Sequence, residues 1–395
     1  MPIVEPNLKR AVELVTQLMA IPGKSGQERQ VAETICQKLT DVGVPNSCIR
    51  FDDSHRRALI RGEVGNLIVK LPGNARGPRR LLTAHMDTVP ICVGAKPVRK
   101  KNLISSADPA TGVGADNRAG CAAILNAVLE IYERQLSHPP LTLCWFIQEE
   151  VGLQGSHYMK KSLLGQPQLA FNWDGGGPTK LTVGATGGYR MQIDLTGIAS
   201  HAGVAPEQGV SAIAIASLAI ADLHRGGWHG DVTKGKKHGT TNIGFIMGGE
   251  ATNVVTDHVT LKAEARSHDP KFRQEIIQQI ERCFTRAAKE VRNVLGKQGA
   301  VSFEGRLDYE SFLLGEDEPC LVAAERAVRA VGLEPYRAVT NGGLDANWIT
   351  SHGIPTVTLG CGQMNPHMSS EKLDVSNFEA ACRIALSLAT ASEKE

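Results

Sequence analysis

Apolar positions recur at helical spacing over residues 6–20 and again in SGQERQVAETICQKL, where Ser25 and Glu28 have the three-residue spacing of a capping box. Short, continuously apolar runs follow: GNLIVKL, RRLLTAHMD, LTLCWFIQEE and QLAFNWDGG read as strands, and GCAAILNAVLEIYER between them reads as a helix. The same alternation returns near the end of the chain, with EPCLVAAERAVRAVGL helical, IPTVTLGCG extended and VSNFEAACRIALSLATAS helical. Uniformly apolar strands separated by helices predict a mostly parallel sheet covered on both faces.

The middle of the chain has a different period. GGYRMQIDLTGI, TTNIGFIMGG and VVTDHVTLKAEARS alternate apolar with polar residues, as half-exposed strands do. Helical stretches at roughly 209–224 and 270–294 separate and follow them, and AVSFEGRLDY adds a fourth strand, giving the β-α-β-β-α-β order of a ferredoxin-like unit. The expected organisation is therefore an α/β domain formed by residues 1–183 and 312–395, with an inserted α+β unit at 184–311. The glycine- and lysine-rich stretch at 224–241 reads as a loop. GVSAIAIASLAIADL reads as a helix that either packs on the inserted sheet or offers a surface to a second copy.

At 395 residues the chain is long enough for two cores, and its net charge of +2 favours neither a nucleic-acid nor an acidic partner. No apolar run is long enough for a membrane span, and the opening MPIVEPNLKRAVELVTQLMAIPG lacks the pattern of a secretory signal. Nine singly scattered cysteines with no CxxC pair argue against a disulfide framework and a thiolate zinc site, and point to a reducing, cytoplasmic compartment.

Candidate chemistry sits mostly just beyond the apolar strands. His85 lies in LLTAHMDTVP with Asp87 two residues on, Glu149 and Glu150 close LTLCWFIQEE, Asp174 follows QLAFNW, and His367 follows the last strand; Asp116 stands before a helix in GVGADNRAG. Ligand sites of parallel α/β sheets gather at the carboxyl ends of strands, so these residues can converge. Imidazole and carboxylate donors suit zinc or a similar divalent ion, with cobalt and manganese also compatible. Five donors exceed what one catalytic zinc needs and suffice for two ions that share a carboxylate. Three ligand carboxylates and one hydroxide balance four positive charges, which leaves Glu149 free to take a proton. An isolated acid at a strand end is most often a solvated loop residue or a helix cap; the joint pattern is what argues for a site. Asp87 can hold the second nitrogen of His85. PGKSG lacks the first glycine of a phosphate loop, and neither HExxH nor GxSxG occurs.

Together AHMDTVP, GADNRAG, QEEVGLQGS, NWDGG, SHAG and the late His367 resemble the M20 family of co-catalytic zinc peptidases over essentially the whole chain. GATGGYR, GGEATNVV, GGLDAN and GIPTVTLG resemble its peptidase T-like branch, which includes tripeptide aminopeptidases. The resemblance implies that Asp116 bridges two metal ions, with His85 and Asp174 completing one site and Glu150 and His367 the other. Glu149 would be the general base, Asp87 the partner of His85, and His201 a donor to the tetrahedral oxyanion that reaches the neighbouring subunit of a homodimer. Arg266 and Asn253 would hold substrate, and the Asp116–Asn117 peptide bond would be cis. Asn117–Arg118 stands where the family often has Asp-Lys, and Leu344 where it commonly has Thr or Ser, removing a hydroxyl near the expected substrate pocket. The implied activity is cleavage of short peptides from an end. The same metal core also serves deacylases, carbamoylases and deacetylases of N-substituted amino acids. Retention of Glu149 and His201 beside every ligand argues against a silent metal-binding scaffold.

Overall fold

The computed structural model describes residues 4–390. Two compact units emerge: one takes the chain up to Gly184 together with Leu313–Thr340 and everything from Leu344, the other comprises Ala185–Phe312 and Asn341–Gly343.

The first unit is built on a nine-stranded sheet whose centre runs Leu141–Phe146, Arg80–His85, Leu169–Trp173, Thr356–Leu359. These central strands pair in parallel, whereas Leu67–Leu71 on one side and Lys180–Ala185 on the other pair antiparallel. The sheet is thus mixed, with the parallel part where the apolar runs are most continuous; Arg80–His85 and Leu141–Phe146 are buried at every position. The helix Ala115–Arg134 is buried without interruption from Ala115 to Ile131. It packs against Arg80–His85 as well as the helices Leu8–Ala20 and Val375–Thr390, which explains why its apolar residues surround the whole helix rather than forming one stripe. The last two residues of the final helical string lie outside the described residues. A small sheet that the sequence did not reveal joins Gln363–Met364, Lys372–Asp374, Leu103–Ser106 and Pro97–Lys100.

Ser25 and Glu28 do not form a capping box. Helix Arg29–Asp41 begins after Glu28, and the Ser25 hydroxyl donates instead to Asp87 Oδ2 at 2.6 Å. The Glu28 carboxylate accepts from the backbone N–H groups of Gly26 (2.7 Å) and Gln148 (3.1 Å). Tertiary partners have replaced the local cap.

The second unit is a five-stranded antiparallel sheet in the order Gly230–Lys234, Lys237–Gly248, His258–Ser267, Gly187–Thr196, Ala300–Tyr309. Without its first strand this is the ferredoxin-like order. That extra strand corrects the loop expected at 224–241. Lys234 pairs with Lys237, so Gly235 and Lys236 form a two-residue hairpin turn, and Gly235 has φ +64°, a conformation suited to glycine. Lysines flanking the turn masked the alternation. The helices Ala212–Arg225 and Pro270–Glu290 pack together against the sheet; Ile215, Ala219 and Leu223 face this core, while Ile213 is exposed.

Among the described residues all nine cysteines are free, and no helix is long and apolar enough to cross a membrane.

Helix Ala115–Arg134 approaches the sheet most closely at Gly120, where a Cβ would lie 2.5 Å from both the Trp173 carbonyl oxygen and Asn117 Oδ1 and 3.0 Å from the Ala84 Cβ. Gly120→Ala is therefore expected to destabilise the protein by about 1–3 kcal/mol through overpacking. Urea titration should find a lower midpoint with an unchanged slope.

Candidate active site

His85 is the last residue of its strand and pairs in register with Phe146 of the parallel neighbour; Glu149 and Glu150 lie just beyond that neighbour. Asp174 directly follows Leu169–Trp173 and is tied by its N–H to the Leu359 carbonyl at 2.8 Å. Three strand ends thus bring acids and an imidazole to one edge of the sheet. Asp116 arrives from the helix side. The Asp116–Asn117 bond is cis, and both residues leave helical geometry. Asn117 then acts as the cap of the regular helix, its Oδ1 accepting from Gly120 N at 3.0 Å.

The two oxygens of Asp116 face different imidazoles. Oδ1 lies 3.2 Å from His85 Nε2, and Oδ2 lies 3.3 Å from His367 Nε2. His367 Nε2 also lies 2.9 Å from Glu150 Oε2, and His85 Nε2 lies 4.0 Å from Asp174 Oδ2. Two groups are compact enough to hold an ion, with ligand atoms all within 4.8 Å of one another: His85–Asp116–Glu150 and His85–Glu149–Asp174. His367 belongs to neither group, although it touches Asp116 and Glu150.

Asp87 supports this arrangement from beneath. Its carboxylate accepts from Glu149 N at 2.9 Å, Glu150 N at 3.2 Å and the Ser25 hydroxyl. His85 Nδ1 faces the Asp87 carbonyl at 3.1 Å and its carboxylate at 3.4 Å, which leaves Nε2 directed at Asp116. Two supporting residues escaped the sequence reading. Glu371 accepts from Asp116 N (2.9 Å) and Gly114 N (2.7 Å), and Gln363 Nε2 donates toward Asp116 (3.2 Å), Asn117 (3.0 Å) and Asp174 (3.4 Å). Gln363 lies on the small sheet and Glu371 immediately precedes its strand Lys372–Asp374; both sit in polar strings that look like surface loop. A third, Asp345, is buried with neither oxygen accepting a hydrogen bond, since the nearby Ser156 hydroxyl is turned to the Leu153 carbonyl.

Buried acids outnumber the two imidazoles that face them. Burial pushes Glu149 well above the usual carboxylate range; it pushes Glu150 to about 7, Asp174 to about 8 and Asp345 to about 7. Burial also acts on Asp116, but hydrogen bonds from His367 and His85 outweigh it and hold that acid below the usual range. Hydrogen bonds to Asp116 and Glu150 raise His367 to about 10. For His85, burial lowers the proton affinity, yet Glu149, Asp116 and Asp87 together raise it well above the ordinary value. Glu150 Oε1 is buried without a hydrogen-bond partner. An orphaned carboxylate oxygen among imidazoles and acids is a donor set suited to divalent cations.

His201, Asn253 and Arg266 belong to the second unit. His201 is exposed, and its Nδ1 accepts from the N–H groups of Gly203 (3.1 Å) and Val204 (3.2 Å), so the neutral ring carries its proton on Nε2. Ala202 N donates to the Asn253 carbonyl at 2.9 Å, placing Asn253 beside His201. Arg266 makes a two-pronged pair with Glu264, 3.0 and 2.9 Å, and reaches the Asn341 carbonyl at 3.4 Å.

His367, Asp174 and Glu150 all hold protons more tightly than the free groups do, so a divalent cation bound among them would have to displace protons. Calorimetric titration of zinc at about pH 7 in buffers of different ionisation enthalpy is expected to reveal proton release. Affinity should rise from about pH 6 to 9 as those groups lose their protons. A pH-independent affinity would contradict the assignment of these groups to the binding site.

A model of peptidase family M20/M25/M40 matches residues 81–391. YqjE of Bacillus subtilis (strain 168) is 30% identical over 384 residues, spanning 97% of this chain and 98% of that protein. The structure of a tripeptidase from Staphylococcus aureus subsp. aureus Mu50 is similar at a TM-score of 0.88 and 28% identity, covering 98% of this chain and 99% of its own. That of aminopeptidase PepT from Bacillus cereus ATCC 10987 gives 0.85 and 30%, again covering 98% and 99%. The strand-end cluster and these similarities lead to one assignment: the chain belongs to peptidase family M20/M25/M40.

Proposed function

We propose that this protein is a two-metal exopeptidase that cleaves short peptides, acting as an aminopeptidase. The observation that carries the reading is Asp116, whose two oxygens are divided between His85 and His367 as a carboxylate shared by two cations would be. The similarity to a tripeptidase and to an aminopeptidase over nearly the full chain supports the substrate class. His85 and Asp174 would hold one ion, Glu150 and His367 the other, and Asp116 both; zinc is the first candidate. Such ions supply Lewis acidity toward the scissile carbonyl, lower the pKa of a water and draw protons from the surrounding acids.

The chain's own groups then have distinct roles. Glu149 shares no hydrogen bond with His367 or Asp116, and its carboxylate takes a proton from the attacking water and passes it to the leaving amine. Asp87 fixes the tautomer of His85 and the backbone of both glutamates. His201, held as a donor through Nε2, hydrogen-bonds the oxygen on which negative charge develops. Arg266 and Asn253 hold the remainder of the peptide. Free thiols, seven of the nine buried, suit a reducing, cytoplasmic setting.

A panel of di- and tripeptides with free or blocked termini, run beside N-acyl amino acids, tests the substrate class. Dependence on a free amine supports the aminopeptidase, whereas preference for N-acyl amino acids would replace it with an amidohydrolase of N-substituted amino acids. Glu149→Gln is expected to lower kcat by about 10²–10⁴-fold with little loss of metal, while Glu150→Gln should lower metal content. A near-normal rate in Glu149→Gln would overturn its role.

His201 is further proposed to serve the site of a second copy in a homodimer. His201→Ala and Glu149→Gln homodimers should both be nearly inactive, His201→Ala by about 100- to 1000-fold. A mixed dimer should regain one working site. Verified heterodimers without recovery, or a fully active monomer, would sink the shared-site idea.

A further inference from the structure

A cleft of about 380 Å³ opens beside the acid pair, with Glu150 in its wall. Ile60, Val89, Pro90 and Val151 supply apolar lining, and Ile60 is 42% exposed. Two cations, Lys24 and Arg61, also line it. Both side chains are exposed, and neither has a hydrogen-bond or ion-pair partner among the described residues. The acid on the same wall does not neutralise them, because Glu150 is engaged by His367 at 2.9 Å. The Ser25 hydroxyl at the cleft is likewise committed to Asp87.

Both cations stand on backbone tied to the catalytic edge. Gln148, the residue before Glu149, donates through Nε2 to the Ile60 carbonyl at 2.7 Å and accepts at Oε1 from Ile60 N at 3.3 Å. Two residues after Arg61, Glu63 N donates to the Gly26 carbonyl at 3.1 Å. Lys24 is bridged to Thr88, and its carbonyl accepts from Gln27 N at 2.8 Å. The loop carrying Arg61 is therefore anchored on both sides.

We infer that this cleft is a substrate subsite selecting a carboxylate at the end of a short aliphatic stem, held by Arg61 and Lys24 while the stem lies on Ile60 and Val89. The inference rests on the strand-end cluster being the peptide-cleaving centre. Apolar walls accept methylenes, and guanidinium and ammonium groups without internal partners accept the anion. The carboxylate belongs either to an acidic side chain or to the peptide's C-terminus, and matched substrates separate these sources.

The test compares kcat/KM for Glu-Gly-Gly with Gln-Gly-Gly, Gly-Glu-Gly with Gly-Gln-Gly, and Leu-Gly-Gly with its C-terminal amide, using zinc-loaded protein. One pair should favour the acid by about tenfold, a preference that shrinks as salt screens the exposed cations. Arg61→Gln combined with Lys24→Gln should bring that ratio close to one, and Arg61→Glu should reverse it. Absence of acid preference in every pair, or a preference unchanged in the double variant, overturns the subsite. The same pairs are titrated calorimetrically into zinc-loaded Glu149→Gln protein. If the unsubstituted enzyme cleaves no peptide, the peptidase reading fails, and the binding ratio alone decides whether the cleft selects a carboxylate. If peptides are cleaved but the ratios stay flat, only the subsite fails.

Discussion

Asp87 accepts hydrogen bonds from the backbone of both Glu149 and Glu150, from the Ser25 hydroxyl, and faces the Nδ1 side of His85. One fully buried carboxylate therefore sets the position of an imidazole, the direction of two consecutive glutamates and the path of the segment that enters from the first helices. Its charge is held by these donors and by His85, which keep its proton affinity low despite burial. Glu371 plays the matching part for Asp116, accepting from its N–H and that of Gly114. Neither carboxylate is free to turn, because the donors that satisfy it are mainly backbone groups of a packed sheet and helix.

Crowding is the cost of this arrangement. Glu149, Glu150, Asp116 and Asp174 lie around two imidazoles, and burial penalises their charged forms. Only Asp116, which is hydrogen-bonded by both rings, keeps a low proton affinity. The others hold protons more tightly than ordinary carboxylates do. A cluster that is unfavourable as a set of bare charges becomes favourable when positive charge is added between them, and for that reason buried acids with an orphaned oxygen argue for cations more strongly than their number does.

Much of this was legible in the chain because strand ends are legible. His85, Glu149, Glu150 and Asp174 each sit at or beyond a mostly apolar run, and such runs mark the parallel centre of the sheet. The ferredoxin-like order of the second unit was readable from period-two alternation. What stayed hidden depended on partners distant in sequence. Gln363 on a two-residue strand and Glu371 just before a three-residue one have no periodicity to detect, and the Asp116 they both hold is more than 240 positions away. Ser25 and Glu28 carried a local signal of the right spacing, but it was overridden: each found a better partner across the fold than the helix end could offer. The strand at Gly230–Lys234 was concealed because charged residues flank a two-residue turn.

Gln148 links the catalytic edge to its surroundings. It is buried, has φ +51° and is immediately followed by the two glutamates. Its N–H goes to Glu28, and its side chain exchanges two hydrogen bonds with the backbone of Ile60. Leu59 is held in addition by Gln154, on the short helix that follows the acid pair. The loop that carries Ile60 and Arg61 is therefore fastened to the same stretch of backbone that aims Glu149 and Glu150. A left-handed conformation at a non-glycine residue costs free energy, and here it is offset by hydrogen bonds satisfying both ends of a buried amide side chain. Position 148 thus joins two demands on one residue: turning the chain so that the acids meet the imidazoles, and holding the wall against which a substrate would rest.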